Sequence, residues 1–379
     1  MVLFLSIGIA SASDNQTVDS VGAAHDANLA VDSVSADVND TVKVSADDFV
    51  NRDVLAAQEV DDISEDAIVS EGKQVSKEEV LGASGDEDIL EATVYDTGVG
   101  TDWTDLRGFL TGNKVSIGDT VILTHDYSTR AAVTLKGIEI GSMAIIGQNS
   151  DDGGSINITK GRETDYNSGR TFYIKDGSVV TLMNINFYHN KHDVGDPGGA
   201  IYVGKNSVVN FINCKFVDCS QCQKGGSIYY DANSTGNLIN CTFNQGWIRH
   251  THNDASGGSA VYMVSANNLN ITGCDFEYNR ATQGNGVIYV ESAASNINFA
   301  DCTFNSNYNY PASNNANFGM GGVIYFKEGV TGVIFDDCNF TNNYARNYGG
   351  AVYFGGACSD IEFNNCNFTN NSATVDYHS

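Results

Sequence analysis

Gly198-Gly199-Ala200-Ile201-Tyr202, Gly225-Gly226-Ser227-Ile228-Tyr229, Gly321-Gly322-Val323-Ile324-Tyr325 and Gly349-Gly350-Ala351-Val352-Tyr353 are four copies of one pattern. Degenerate copies sit at 169–173, 257–262 and 285–289, so the copies recur every 27 to 36 residues. A period in that range marks a solenoid or a similar array. Alignment of the second half of each repeat shows which kind. Phe187, Phe216, Phe243, Phe276, Phe304, Phe340 and Phe368 form one column. Two residues earlier stand Ile185, Cys214, Cys241, Cys274, Cys302, Cys338 and Cys366, with polar residues between the two columns. This in–out–in alternation is a strand period, so both columns face inward and stack rung on rung.

The residue before the Cys column is Asn184, Asn213, Asn240, Gly273, Asp301, Asp337 or Asn365. Asn, Gly and Asp tolerate the left-handed backbone, so this column marks a sharp bend between strands. Three residues before the Cys column the chain is always apolar, from Leu182 to Phe363, which closes the preceding strand. Each rung therefore reads strand, turn, strand, bend, strand. No helical period occurs in the repeat, which excludes helical solenoids. The expected fold is all-β, a single-stranded right-handed parallel β-helix over residues 91–379, with a short N-terminal capping helix and a disordered N-terminal segment. Asp102 is placed to N-cap that helix, with Trp103, Leu106, Phe109 and Leu110 on one face. Val121-Ile122-Leu123, Val133-Thr134-Leu135 and residues 138–146 supply the first strands.

Upstream, residues 1–12 read as a signal peptide: an apolar run, then Ala10-Ser11-Ala12 as a cleavage site, without a basic residue before Lys43. Residues 13–90 read as a disordered acidic linker. From 14 to 90 there are 20 Asp/Glu against 4 Lys/Arg, and Phe49 is the only aromatic residue. Such a segment buries too little apolar surface to offset its ordering entropy. The formal charge of the whole chain is −27, which argues against nucleic acid as a partner. An extracellular or cell-surface location is expected.

The pattern G-G-A-I-Y followed by N-C-x-F-x-x-N resembles two groups. One is the adhesin-like surface proteins of methanogenic archaea, which carry β-helical repeats of the pectin-lyase-like type. The other is the polymorphic membrane proteins of chlamydiae, defined by GGAI and FxxN tetrapeptides. Literal GGAI stands at Gly198–Ile201, and FxxN at Phe187–Asn190, Phe276–Asn279, Phe304–Asn307, Phe340–Asn343 and Phe368–Asn371. The Phe216 and Phe243 repeats break it with Cys219 and Gly246. The resemblance implies the fold and a surface location, and says little about a ligand.

Enzymes of the pectin-lyase-like type need carboxylates clustered in one groove. Two positions after the repeat tyrosine the column reads Lys175, Gly204, Asp231, Val264, Glu291, Lys327, Gly355, which is mixed rather than acidic. A protein without catalytic activity and without cofactor is expected, displaying a repetitive surface for adhesion or glycan binding. The alternatives are a polysaccharide lyase or glycoside hydrolase of the same fold, and a purely structural envelope component. Tyr173, Tyr202, Tyr229, Tyr262, Tyr289, Tyr325 and Tyr353 are the binding candidates, because their apolar neighbours point inward and seven outward rings in line would stack on sugars. The plainer reading is a cross-strand ladder that shields the sheet. His189, His192, Cys219, Cys222, His250 and His252 follow the Phe column on three successive rungs. Stacking would bring these N/S ligands toward one Zn²⁺, while the plainer reading is six unrelated loop residues. The Cys column reads as reduced, buried thiols filling space beside the Phe rings, which implies an anoxic habitat. Sequons stand at Asn15, Asn39, Asn157, Asn233, Asn240, Asn270, Asn339, Asn367 and Asn370, only some of them expected to carry glycans. The sequence ends at Ser379 inside a rung, from which an uncapped edge and end-to-end contact are expected.

Overall fold

The computed structural model describes residues 94–96, 102–112, 115–129, 137–161, 168–192, 197–221, 223–248, 256–282, 285–309 and 319–374. The signal-peptide and acidic-linker readings lie outside these residues, as does the strand expected at 133–135. The described chain is a right-handed parallel β-helix. Every strand pair in it is parallel, and strands join into four sheets of ten, nine, eight and seven strands. One rung shows the plan. Ile201–Val203 belongs to the Tyr sheet, Val208–Ile212 to the long sheet, Lys215–Val217 to the Phe sheet and Ser220–Gln221 to the short sheet. The next rung repeats this with Ile228–Tyr230, Thr235–Ile239, Thr242–Asn244 and Trp247–Ile248.

All seven residues of the expected bend column have positive φ, from 49° at Asn365 to 61° at Gly273. The structure adds a second bend and a fourth strand to each rung. The second bend lies two residues after the Phe column, at His189, Asp218, Gln245, Tyr278, Ser306, Asn342 and Asn370, again with positive φ throughout. It turns the chain into the two-residue strand of the short sheet.

The inward columns stack as expected. Phe216 lies 4.9 Å from Phe187 and 4.9 Å from Phe243, nearly parallel to both, and the series continues to Phe368. Register fixes this, because each Phe pairs with the Phe of the next rung. The Gly-Gly pair has two separate jobs. Gly225 has φ +69°, a conformation that strains any L side chain, and a Cβ on Gly226 would collide with the Ser259 carbonyl of the next rung.

Helix α1, Trp103–Leu110, starts at Asp102, whose Oδ1 accepts from the Thr104 amide at 2.6 Å. That bond holds the Asp102 carboxyl below its usual pKa. Trp103, Leu106 and Leu110 are buried, and Phe109 packs against the core edge. The helix lies against Tyr127–Thr129 and Ile138–Ile140, so it covers the first rungs as expected. Lys160 is also buried here, its Nζ 3.9 Å from the centre of the Trp103 ring and donating to the Arg170 carbonyl at 3.0 Å. Burial, helped by Arg107 and Arg170, lowers its pKa to about 7.

Candidate functional site

The Tyr column points away from the main core, as its alternation requires. Ile201 and Val203 join the core, whereas Tyr202 packs in a separate cluster with the other repeat tyrosines. The open platform, however, is not there. Tyr262 and Tyr289 are 0% exposed, and Tyr229 and Tyr325 nearly so. Val264, Met320 and Gly257 lie against the ladder, and Lys224 Nζ sits 4.8 Å from the centre of the Tyr262 ring. The rings also use their faces on one another: Tyr173–Tyr202 stack at 4.5 Å and Tyr262–Tyr289 at 4.8 Å. Little ring face is left for a sugar along the middle of the ladder. Tyr173, Tyr202 and Tyr353 remain half-buried.

Two carboxylates flank this ladder. Tyr202 Oη donates to Asp231 Oδ2 at 2.6 Å. Lys224 Nζ lies 3.2 Å from Glu291 Oε2. Burial, reinforced by Asp231, raises the Tyr202 phenol, and burial, reinforced by Glu291, does the same to Tyr262. Burial pushes Tyr325 up to about 12.

Of the six residues considered for a metal, Cys222, His250 and His252 lie outside the described residues. The other three face different surroundings, and two of them are not exposed loop residues. His189 Nδ1 is 2.8 Å from Asp218 Oδ2, an oxygen that Lys191 Nζ approaches to 2.6 Å. His192 is buried in a short-sheet strand beside Arg170. Cys219 is in the core and donates to the Phe187 carbonyl at 3.6 Å. Among the described residues no group of three or more His, Cys, Asp or Glu is arranged to hold a metal ion.

Cys219 has a clearer role beside the FxxN asparagines. Asn279, Asn307 and Asn343 are fully buried. Their Nδ2 atoms donate to the carbonyls of Phe243, Phe276 and Phe304 on the preceding rungs at 2.7–2.9 Å. The same nitrogens reach the Oδ1 of the next asparagine at 2.8–3.0 Å. Cys219 stands at this position in its rung and makes the same bond to Phe187. Cys219→Asn is therefore expected to fold normally and change stability by no more than about 1 kcal/mol, the net worth of one hydrogen bond. A urea melt checks this; a loss above about 3 kcal/mol would show that the site does not accept the amide.

The inward Cys column carries free thiols. Each donates to the carbonyl of the apolar residue that closes the long-sheet strand one rung back, as Cys214 does to Leu182 at 3.4 Å and Cys302 to Ile271 at 3.3 Å. Burial raises the Cys214, Cys241 and Cys274 thiols well above the ordinary range, and Cys219 to about 12. These thiols are protonated core residues.

A second set of half-buried aromatic side chains lies on the short sheet. Trp247, Arg280, Tyr308 and Tyr344 pair in register on four successive rungs. Their strand partners Ile248, Ala281, Asn309 and Ala345 are buried, so these four face outward, and all are part-exposed. Arg280 Cζ lies 3.8 Å from the centre of the Trp247 ring. Tyr278, on the neighbouring bend, is 52% exposed and has φ 54°. A bulky side chain in that conformation is an outlier. The sequence held a signal for this strip, since its members stand four residues after each Phe of the inward column. The two-residue strand they occupy is too short to show a period.

Among the described residues no helix is long and apolar enough to cross a membrane. No curated protein and no solved structure matches the chain. Residues 199–379 match the family model described as a right handed beta helix region. The structure carries the same parallel stacking back to the strand at Val94–Asp96, so the chain is a right-handed parallel β-helix well beyond the matched part.

Proposed function

We propose that this protein is a non-catalytic, adhesin-like display protein, secreted or held at a cell surface, which binds glycans through the short-sheet strip of Trp247, Arg280, Tyr308 and Tyr344 together with Tyr278 on the adjoining bend. The observation that carries this reading is the part-exposed aromatic and guanidinium strip, with the exposed Tyr278 beside it, on a scaffold whose inward Phe column and central tyrosines are stacked and covered. Arg280, braced on Trp247, offers N–H donors in a fixed plane, and Tyr278 offers a ring face that strain alone would not favour. Three strand spacings separate Trp247 from Tyr344, roughly 14 Å, which suits an extended chain ligand. The strongly acidic composition makes nucleic acid an improbable partner.

In a cell-binding or glycan-binding assay, Tyr278→Ser combined with Tyr308→Ser is expected to lower binding at least tenfold while the melting temperature stays within a few degrees. Tyr229→Ser combined with Tyr289→Ser is expected to act mainly on stability. Unchanged binding by the Tyr278/Tyr308 variant would sink the assignment.

A second reading, a polysaccharide lyase or glycoside hydrolase, has one observation in its favour. Asp231 and Glu291 occupy the same column two rungs apart, roughly 10 Å along the axis, close to the separation used by inverting glycosidases. Glycan cleavage abolished by Asp231→Asn or Glu291→Gln would favour it. A purely structural envelope role predicts no ligand at all, and loss of envelope integrity without the protein.

A further inference from the structure

Seven sequons lie on the described rungs, and their asparagines are not equivalent. N-linked transfer needs the side-chain Nδ2 free and accessible, because that nitrogen becomes the new bond. In five of the seven it is already used. Asn157 Nδ2 donates to Asp126 at 2.7 Å and Asn270 Nδ2 to Asn237 at 3.0 Å. Asn233, Asn367 and Asn370 donate to the matching asparagine of the preceding rung at 3.1–3.2 Å. Asn339 is half-buried, and its Oδ1 takes bonds from Thr341 and Asn367.

Asn240 combines exposure with an Nδ2 that is not already engaged. It is exposed, and it sits at the corner between the long and Phe sheets with φ 51°. Among the described residues its Nδ2 has no hydrogen-bond acceptor. Elsewhere in the bend column one asparagine clasps another, as Asn213 Nδ2 does to Asn184 Oδ1 at 3.2 Å. The residue that follows Asn240 in this column is Gly273, which has no side chain to donate to Asn240 Oδ1, so the bend column places no side chain over Asn240 from the next rung. The ladder is interrupted at this point, and the corner is left open. Alternation completes the acceptor triplet. Cys241 points into the core, so Asn240 and Thr242 both face outward.

We propose that Asn240 is an N-glycosylation site, and the preferred one on the folded β-helix. The co-reactant is an oligosaccharide carried on a polyprenyl phosphate. Asn240 Nδ2 forms a bond to the anomeric carbon of the first sugar, the bond from that carbon to the lipid phosphate oxygen breaks, the phosphate leaves with its electron pair, and Nδ2 gives up one proton. The inference rests on the protein being exported, since such transfer takes place outside the cytosol. The glycan would stand on the corner between the long and Phe sheets, two strands in sequence from the Trp247 strip.

The test uses the purified, folded full chain, a purified oligosaccharyltransferase specific for N-x-S/T and its lipid-linked oligosaccharide. Occupancy is read per site by glycopeptide mass spectrometry. Asn240 is expected to reach at least ten times the occupancy of Asn157 or Asn270, and Asn240→Gln to remove the dominant glycopeptide. The heat-unfolded chain is expected to lose this preference. Equal occupancy of Asn240 and Asn270 in the folded chain would overturn the proposal, and so would an unglycosylated Asn240 in both folded and unfolded chains. Because the assay is done in vitro, its outcome does not depend on export; surface proteolysis of intact cells tests export separately.

Discussion

Raising the pH from 8 to 11 is expected to unfold the β-helix, with most of the loss between about pH 10 and 11. The cause is the buried thiols. Cys214, Cys219, Cys241 and Cys274 have pKa values raised by burial, whereas an unfolded cysteine titrates near about 8.5. Between those values the unfolded chain loses protons that the folded chain keeps. The stability contributed by the protonated thiols is therefore complete below about pH 8.5 and is lost as the pH rises. Each unit above that point costs about 1.4 kcal/mol for every thiol that keeps its proton in the fold. Lys160 works in the opposite direction. Its pKa falls to about 7 in the fold, so the burden of its buried charge is full below that pH and lifts above it, by about 4 kcal/mol at pH 10. Above pH 10 the Lys160 term is nearly exhausted. Tyr230, Tyr262 and Tyr289, all raised by burial, then add to the loss. Against a total stability of about 5–15 kcal/mol, the fold does not survive pH 11. Urea melts at half-unit pH intervals measure the slope, and Cys214→Ala should reduce it by about 1.4 kcal/mol per unit. A stability that stays level to pH 11 would mean that the thiols are not buried as described.

Asn307→Ala is expected to cost about 4 kcal/mol, a large loss for one polar side chain. Asn307 Nδ2 donates to the Phe276 carbonyl and to Asn343 Oδ1, and its Oδ1 accepts from the amide and the side chain of Asn279. Removing it leaves the Asn279 amide without its acceptor, takes the side-chain donor from the Phe276 carbonyl, and leaves Asn279 Nδ2 and Asn343 Oδ1 with one bond each, all within the buried ladder. Each stranded group costs about 1–3 kcal/mol. Asn305, two residues away and facing outward, supplies the control: Asn305→Ala should change stability by no more than about 0.5 kcal/mol. In a solenoid the damage should concentrate in the adjoining rungs. Hydrogen exchange would then show faster exchange around Phe276 and Phe304 than around Phe187. Equal stability of the two variants would contradict the ladder.

These effects mark what was readable in the sequence. The columns were, because a strand period puts Phe276 and Cys274 on one side whatever the loops do. The first bend was readable too, since Asn, Asp and Gly share a backbone tolerance that other residues lack. The second bend was not: His189, Gln245, Tyr278 and Ser306 have no common preference, and tertiary stacking imposes the left-handed turn on them. The direction of the Tyr column followed from alternation, but its burial did not, because Lys224, Gly257 and Met320 reach it from other parts of the rungs. Cys219 looked like a spare ligand until the rungs were stacked, when it fell at the position of the FxxN asparagine. Asn240 shows the same limit. The sequon was visible, but its open corner depends on Gly273, 33 residues further on.

The most direct test of the stacked register is a distance across many rungs. Lys215 and Asn367 occupy the same outward column of the Phe sheet and are linked by the chain of pairs through Thr242, Asp275, Thr303 and Asn339. Five strand spacings put their Cα atoms roughly 24 Å apart. Spin labels on Lys215→Cys and Asn367→Cys, with the exposed Cys358 changed to Ser, allow double electron–electron resonance to measure this. A single narrow distribution near that distance is the expected result; a broad one, or a distance beyond about 35 Å, would contradict the register on which the stacked columns depend.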